Sequence, residues 1–203
     1  MAIEKTVFTG TTGTDLANEI AAWLTANASD FFDAIEVSDN NGVRVLCKID
    51  GATAIRISTT SKDKSAVKIK NGEIYEPNSY STTWQYGIKT SKGIAIYNTD
   101  DLCIMATKSN EGTVSVALKY ASIYVCADFD NSLKFVNFKT PVIVDNTWVK
   151  SGMTVLAPIV NAKALTYADG LYLQVFSQYP GVEGIITING KQYYTNGVLA
   201  LEE

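Results

Sequence analysis

The chain has no histidine. That removes Ser-His-Asp and Cys-His catalysis and every zinc site built on imidazole. Carboxylates, lysines, tyrosines and thiols remain as chemical groups. Hydrolysis by paired carboxylates needs two acids flanking one bond. The acids available in loop-like sequence are Asp100, Asp101, Asp128, Asp130 and Asp145. Nothing in their spacing brings two of them together, and aspartates in such segments commonly bond their own backbone. The run Asp128-Phe-Asp-Asn-Ser132 begins like a calcium loop. Its sixth and twelfth positions are Leu133 and Lys139, where that loop requires Gly and Glu. A carboxylate hydrolase is therefore the weakest functional reading. The sequence implies no catalytic residue, no metal and no cofactor, and the chain reads as a non-enzyme.

Two further motifs lose their chemistry when their spacing is checked. Thr9-Gly-Thr-Thr-Gly-Thr14 precedes a helical segment and so invites a phosphate site. It lacks both the Gly-Lys-Ser/Thr ending of a P-loop and the Gly-x-Gly-x-x-Gly spacing. A plain loop and helix cap is expected. Cys47, Cys103 and Cys126 each sit in an apolar run with no Cys-x-x-Cys pair. They read as buried thiols acting as small hydrophobes, without a disulfide or zinc framework.

Aromatics carry more promise. Tyr75, Tyr80, Trp84, Tyr86 and Tyr97 lie in a stretch rich in Ser, Thr and Asn. Flat rings beside small polar groups make contact surfaces for sugars or proteins. The competing reading places these rings on the buried face of alternating strands. The net charge of −4 argues against nucleic acid as a partner. The one basic stretch, Lys62-Asp-Lys-Ser-Ala-Val-Lys-Ile-Lys70, reads as an edge strand guarded by lysines. No apolar run reaches the ~18 residues of a membrane span, and the N-terminus lacks the order of a signal peptide. A protein made in the cytoplasm and not bound to membrane is expected.

The elements that must position these residues follow from periodicity. Leu16, Ile20, Trp23, Leu24 and Ala28 recur at helical spacing and form one apolar stripe. Thr14 is the expected N-cap, with Asp15 next, and the helix is expected to end between Asn27 and Ser29. Phe31, Phe32 and Ile35 are expected to add a further turn on the same core. From Ile35 onward, short β-branched runs alternate with turn signals such as Asn71-Gly72. The pattern predicts α+β: an N-terminal helix packed on an antiparallel β-sheet. A boundary at residue 128 would separate this 1–128 domain from a smaller all-β domain, 129–203. One continuous fold is the alternative.

The second part contains strand-like runs Leu133–Phe138, Val142–Val144, Thr154–Val160 and Leu171–Ser177. It closes in a predicted three-strand meander with turns at Asn189-Gly190 and Asn196-Gly197. In that register Ile188 faces Lys191, Ile186 faces Tyr193, Tyr193 faces Ala200 and Tyr194 faces Leu199. One face carries Ile186, Ile188, Tyr193, Val198 and Ala200. The other carries Ile185, Thr187, Tyr194, Leu199 and Leu201. Both faces are apolar enough to need a cover. The cover is expected from Leu171–Phe176 or from a neighbouring subunit.

Tyr167-Ala-Asp-Gly-Leu-Tyr172, Tyr179-Pro-Gly181 and Gly190-Lys-Gln-Tyr-Tyr-Thr-Asn-Gly-Val-Leu-Ala-Leu-Glu202 carry a resemblance. This segment resembles the C-terminal part of structural proteins from phages and prophages of Gram-positive bacteria. The resemblance implies a virion or tail-associated component built from repeated copies. Its partners would be other virion proteins or copies of itself, with no nucleic acid and no membrane. It would be made in the bacterial host cytoplasm and then incorporated in the virion. The alternative is a module that binds a glycan or a protein through the aromatics named above.

Overall fold

The computed structural model describes residues 2–40, 42–60, 66–69, 72–75, 84–98, 102–110, 112–120, 123–129, 134–138, 154–160, 167–176, 183–197 and 199–203. The chain is mixed α+β and mostly β. It opens with β1 (Glu4–Val7), α1 (Gly13–Ala28), β2 (Ala34–Ser38), β3 (Arg44–Ile49) and β4 (Ala52–Ser58). Next come β5 (Ala66–Ile69), β6 (Gly72–Tyr75), β7 (Tyr86–Lys89), β8 (Gly93–Tyr97), β9 (Leu102–Lys108) and β10 (Val114–Tyr120). The remainder is β11 (Ile123–Phe129), β12 (Lys134–Phe138), β13 (Thr154–Val160), β14 (Tyr167–Phe176), β15 (Glu183–Ile188), β16 (Lys191–Asn196) and β17 (Leu199–Glu202).

These strands form three antiparallel sheets. The seven-stranded central sheet runs β1-β7-β8-β9-β10-β11-β12, the N-terminal sheet β2-β3-β4-β5-β6, and the C-terminal sheet β13-β14-β17-β16-β15. The proposed boundary at residue 128 lies in the β11–β12 hairpin, where Asp128 is paired with Lys134. Strand β12 thus continues the central sheet beyond that boundary.

Alternation within the central sheet explains the layering. Successive strand residues point to opposite faces. Ile94, Ile96, Ile104, Ala106, Val114, Val116 and Leu118 pack in one core with α1 and the N-terminal sheet. Ala95, Tyr97, Cys103, Met105 and Ala117 pack in a second core with Tyr194, Leu199 and Leu201. The central sheet is therefore covered on both sides, and its middle strands read as continuous apolar runs.

Helix α1 buries Leu16, Ala17, Ile20, Leu24 and Ala28, along the expected stripe. Its cap is Thr12, two residues before the expected Thr14. The Thr12 Oγ1 accepts from the Asp15 N–H at 3.1 Å and donates to Asp15 Oδ2 at 2.7 Å. This reciprocal pair satisfies an otherwise orphaned amide of the first turn. Phe31 and Phe32 meet edge to face at 6.2 Å just after the helix. Ile35, expected in that turn, begins a sheet instead as part of β2.

The lysine-bearing strand β5 lies between β4 and β6, so it is interior to its sheet and not the expected edge. Residues 62–65 and 70 of that basic run lie outside the described residues. So do Asp100, Asp101, Asp130, Asp145 and the run Val142–Val144. Among the described residues, no helix is long and apolar enough to cross a membrane.

Candidate functional site

The first hairpin of the meander is built by its turn residues. Asn189 and Gly190 both have positive φ, at 51° and 79°. That is the geometry of a two-residue turn matched to strand twist, and glycine adopts it without a Cβ penalty. Ile188 then pairs with Lys191 and Ile186 with Tyr193, as expected. The second turn differs. Tyr193 pairs with Glu202, Tyr194 with Leu201 and Thr195 with Ala200. Side chains widen this loop: Thr195 Oγ1 donates to the Leu199 carbonyl at 2.7 Å, and Asn196 Oδ1 accepts from the Leu199 N–H at 2.8 Å. The shift is two residues, so every side chain keeps its face.

The cover of the meander also differs from expectation. Strand β14 pairs edgewise with β17 and extends the same sheet. Central-sheet residues Tyr97, Cys103 and Met105 cover the face carrying Tyr194, Leu199 and Leu201. This cover is incomplete. Ile185 pairs with Tyr194 and shares its face, yet Ile185 is 57% exposed while Tyr194 is 1% exposed.

The packing order shows where the gap lies. Strand β17 packs against β8, and β14 against β9. Tyr194 of β16 stacks on Tyr97, with centroids 5.1 Å apart, and Tyr97 on Tyr86 of β7 at 5.0 Å. Strand β15 follows β16 at the edge of the C-terminal sheet, and β1 follows β7 at the edge of the central sheet. On β1, Val7 pairs with Tyr86 and is 56% exposed. Val7 and Ile185 are thus exposed apolar side chains on the edge strands of the central and C-terminal sheets. Lys5 caps the row of tyrosines, its Nζ 3.8 Å from the Tyr86 ring centre. An exposed cation over a ring contributes about 0.5–1 kcal/mol.

The aromatics singled out from the sequence divide accordingly. Trp84 is fully buried, and its Nε1 donates to the Ser58 carbonyl at 2.7 Å. Tyr97 is 4% exposed in the second core. Neither ring is on the surface: strand alternation turns Tyr97 inward, and Trp84 enters the other core just before β7. Tyr86 alone is half-buried, on β7. The backbone of Tyr75 lies in β6, while its side chain and Tyr80 lie outside the described residues. The two edge strands add the exposed residues Lys5 and Val7 on β1 and Ile185 and Thr187 on β15, which sequence reasoning did not single out. Their available signal was the apolar content on both faces of the meander.

A second polar cluster lies on the other face of the C-terminal sheet. Glu202 accepts from the Tyr172 hydroxyl at 2.7 Å and from Lys191 Nζ at 2.6 Å. Tyr172 and Tyr193 meet edge to face at 5.7 Å. Burial works to raise the Glu202 pKa, but the Lys191 and Tyr172 hydrogen bonds outweigh it and hold the carboxyl below the usual range. This satisfied ion pair locks β16 to β17 and leaves no proton for acid catalysis near neutrality.

The loop before α1 and the described cysteines offer no open site either. The loop amides of Thr9 and Gly10 both donate to Glu19 Oε2 at 2.8 Å. The chain's own carboxylate thus sits where a phosphate would bind. Cys47 and Cys103 are buried thiols, and burial pushes Cys47 up to about 12. Among the described residues, no group of three His, Cys, Asp or Glu could hold a metal. No family, curated protein or solved structure matches the chain.

Proposed function

We propose that this protein is a non-enzymatic structural component of a phage or prophage particle, and that its activity is assembly with copies of itself or with other virion proteins. The observation that carries the reading is where large apolar side chains meet solvent. Among the described residues, those exposed are Val7, Val37 and Ile185. They lie on β1, β2 and β15, and each of these strands is the edge of a different sheet. Edge strands offer unpaired N–H and C=O groups, and apolar side chains on them favour pairing with another chain. The phage origin is supported by the resemblance of the C-terminal segment. Synthesis in the host cytoplasm and location in the virion belong to the same proposal.

The burial of Trp84 and Tyr97 weakens the glycan-binding alternative, because it takes two of the named rings off the surface. The test is solution mass by light scattering across protein concentration. Assembly predicts a mass that rises above 22.0 kDa as concentration increases. A constant 22.0 kDa into the millimolar range, with purified virion proteins failing to raise it, overturns the reading.

A further inference from the structure

Resting on that assembly reading, we infer that β15 is the strand through which two copies of this chain join, pairing antiparallel about a two-fold axis at Ile186. Edge chemistry selects β15 among the three edge strands on which a described apolar side chain is exposed. Strand β1 carries Glu4 and Lys5, and Glu36 of β2 is tied to Lys48 at 2.6 Å. Such charges guard an edge against pairing. Strand β15 reads Glu-Gly-Ile-Ile-Thr-Ile, with no charge after its first residue.

Backbone direction follows from the hairpin. In a two-residue turn the flanking pair, here Ile188 and Lys191, exchanges hydrogen bonds. Alternation then aims the N–H and C=O of Ile186 toward β16, and those of Ile185 and Thr187 toward the open edge. Regular strand geometry is bounded by Gly184, at φ 128°, and by the turn at Asn189. The stretch able to pair is therefore centred on Ile186.

That centre makes the edge complementary to itself, so a second copy is the occupant it fits. With the axis at Ile186, Ile185 of each copy faces Thr187 of the other. The outward amides and carbonyls of these residues satisfy one another, through about four hydrogen bonds. Opposed residues share a face, so the exposed Ile185 of each copy also gains a neighbour beside it. Glu183 falls opposite the turn residue Asn189, so no two carboxylates oppose. An isologous interface requires such self-complementarity. The paired edge is small, so association is expected to depend on concentration.

The experiment uses the full chain. Ile185→Lys places a charge on an exposed side chain, and Thr187→Pro removes an outward N–H without touching the β16 ladder. Each is expected to weaken dimerisation at least about tenfold in sedimentation equilibrium, with the far-ultraviolet circular dichroism unchanged. Ile186→Cys is expected to give a disulfide-linked dimer under mild oxidation. Opposed residues in a non-hydrogen-bonded pair lie about 4.5 Å apart at Cα, within disulfide reach. A dimer unaffected by both edge substitutions, or a dimer in which Ile186→Cys fails to cross-link, overturns this inference and leaves the assembly reading standing. A monomer at every concentration overturns the inference directly. Particle formation with other virion proteins would then still sustain the broader reading.

Discussion

Trp84 shows how one residue changes meaning between sequence and structure. Its neighbours are small and polar, which suggested an exposed ring. The ring is fully buried and helps fill the core beneath α1. Its indole N–H donates to the Ser58 carbonyl inside the core. Trp84→Phe removes that donor and leaves unfilled volume. The expected loss is about 2–4 kcal/mol of folding stability, from the lost buried hydrogen bond and the cavity together. A urea titration would show it as a lowered midpoint with an unchanged slope. An unchanged midpoint would mean that the ring does not hold the core. Gly10 is equally specific. A Cβ there would lie 2.5 Å from the Leu16 nitrogen, so the loop can approach the helix only without a side chain.

At the scale of elements, local signals were read well and non-local pairing was not. The apolar stripe located α1, and short β-branched runs located most strands. The Asn189-Gly190 turn even gave a register, because two positive φ values are a local property. The second turn failed because Thr195 and Asn196 side chains set its width. Strand β1 was missed because four residues with two charges carry almost no periodic signal. The assignment of strands to three sheets was not legible either: alternation states which residues share a face, but not which face covers which. The exposed edge residues Val7 and Ile185 were not singled out for the same reason. One polar link within the C-terminal sheet makes a prediction at this scale. The Glu202 carboxyl is held below its ordinary pKa by Lys191 and Tyr172. A depressed carboxyl adds stability above its unfolded pKa, and that stability is lost as pH falls through the folded value. Denaturation midpoints should therefore decline on acidification below the ordinary glutamate range. Glu202→Gln should lower the midpoint at neutral pH and flatten that decline. Parallel pH profiles for the two proteins would refute the link.

For the whole molecule, the central sheet is the decisive layer because its alternate residues serve two cores. Ile94, Ile96 and Ile104 face the helix side, while Ala95, Tyr97, Cys103 and Met105 face the C-terminal sheet. A chain ending at residue 128 would keep the first core. It would lose β12 from the central sheet and the Tyr194, Leu199 and Leu201 cover from the second core. Covering an apolar face contributes about 25 cal/mol for each Å² removed from water. Its exposure should therefore be costly and adhesive. The expected outcome is that residues 1–128 alone bind the dye ANS strongly and aggregate, while the full chain binds little dye. The full chain should also unfold in one transition, with near-ultraviolet and far-ultraviolet circular dichroism changing together. Separate transitions, or a monomeric 1–128 fragment that leaves the dye dark, would show that the two halves are independent domains. The same layering bears on assembly. The central sheet covers Tyr194, Leu199 and Leu201 and leaves Ile185 exposed, so a partner has a narrow strip to cover and not a whole sheet. An interface of that shape suits strand-to-strand pairing better than face-to-face stacking.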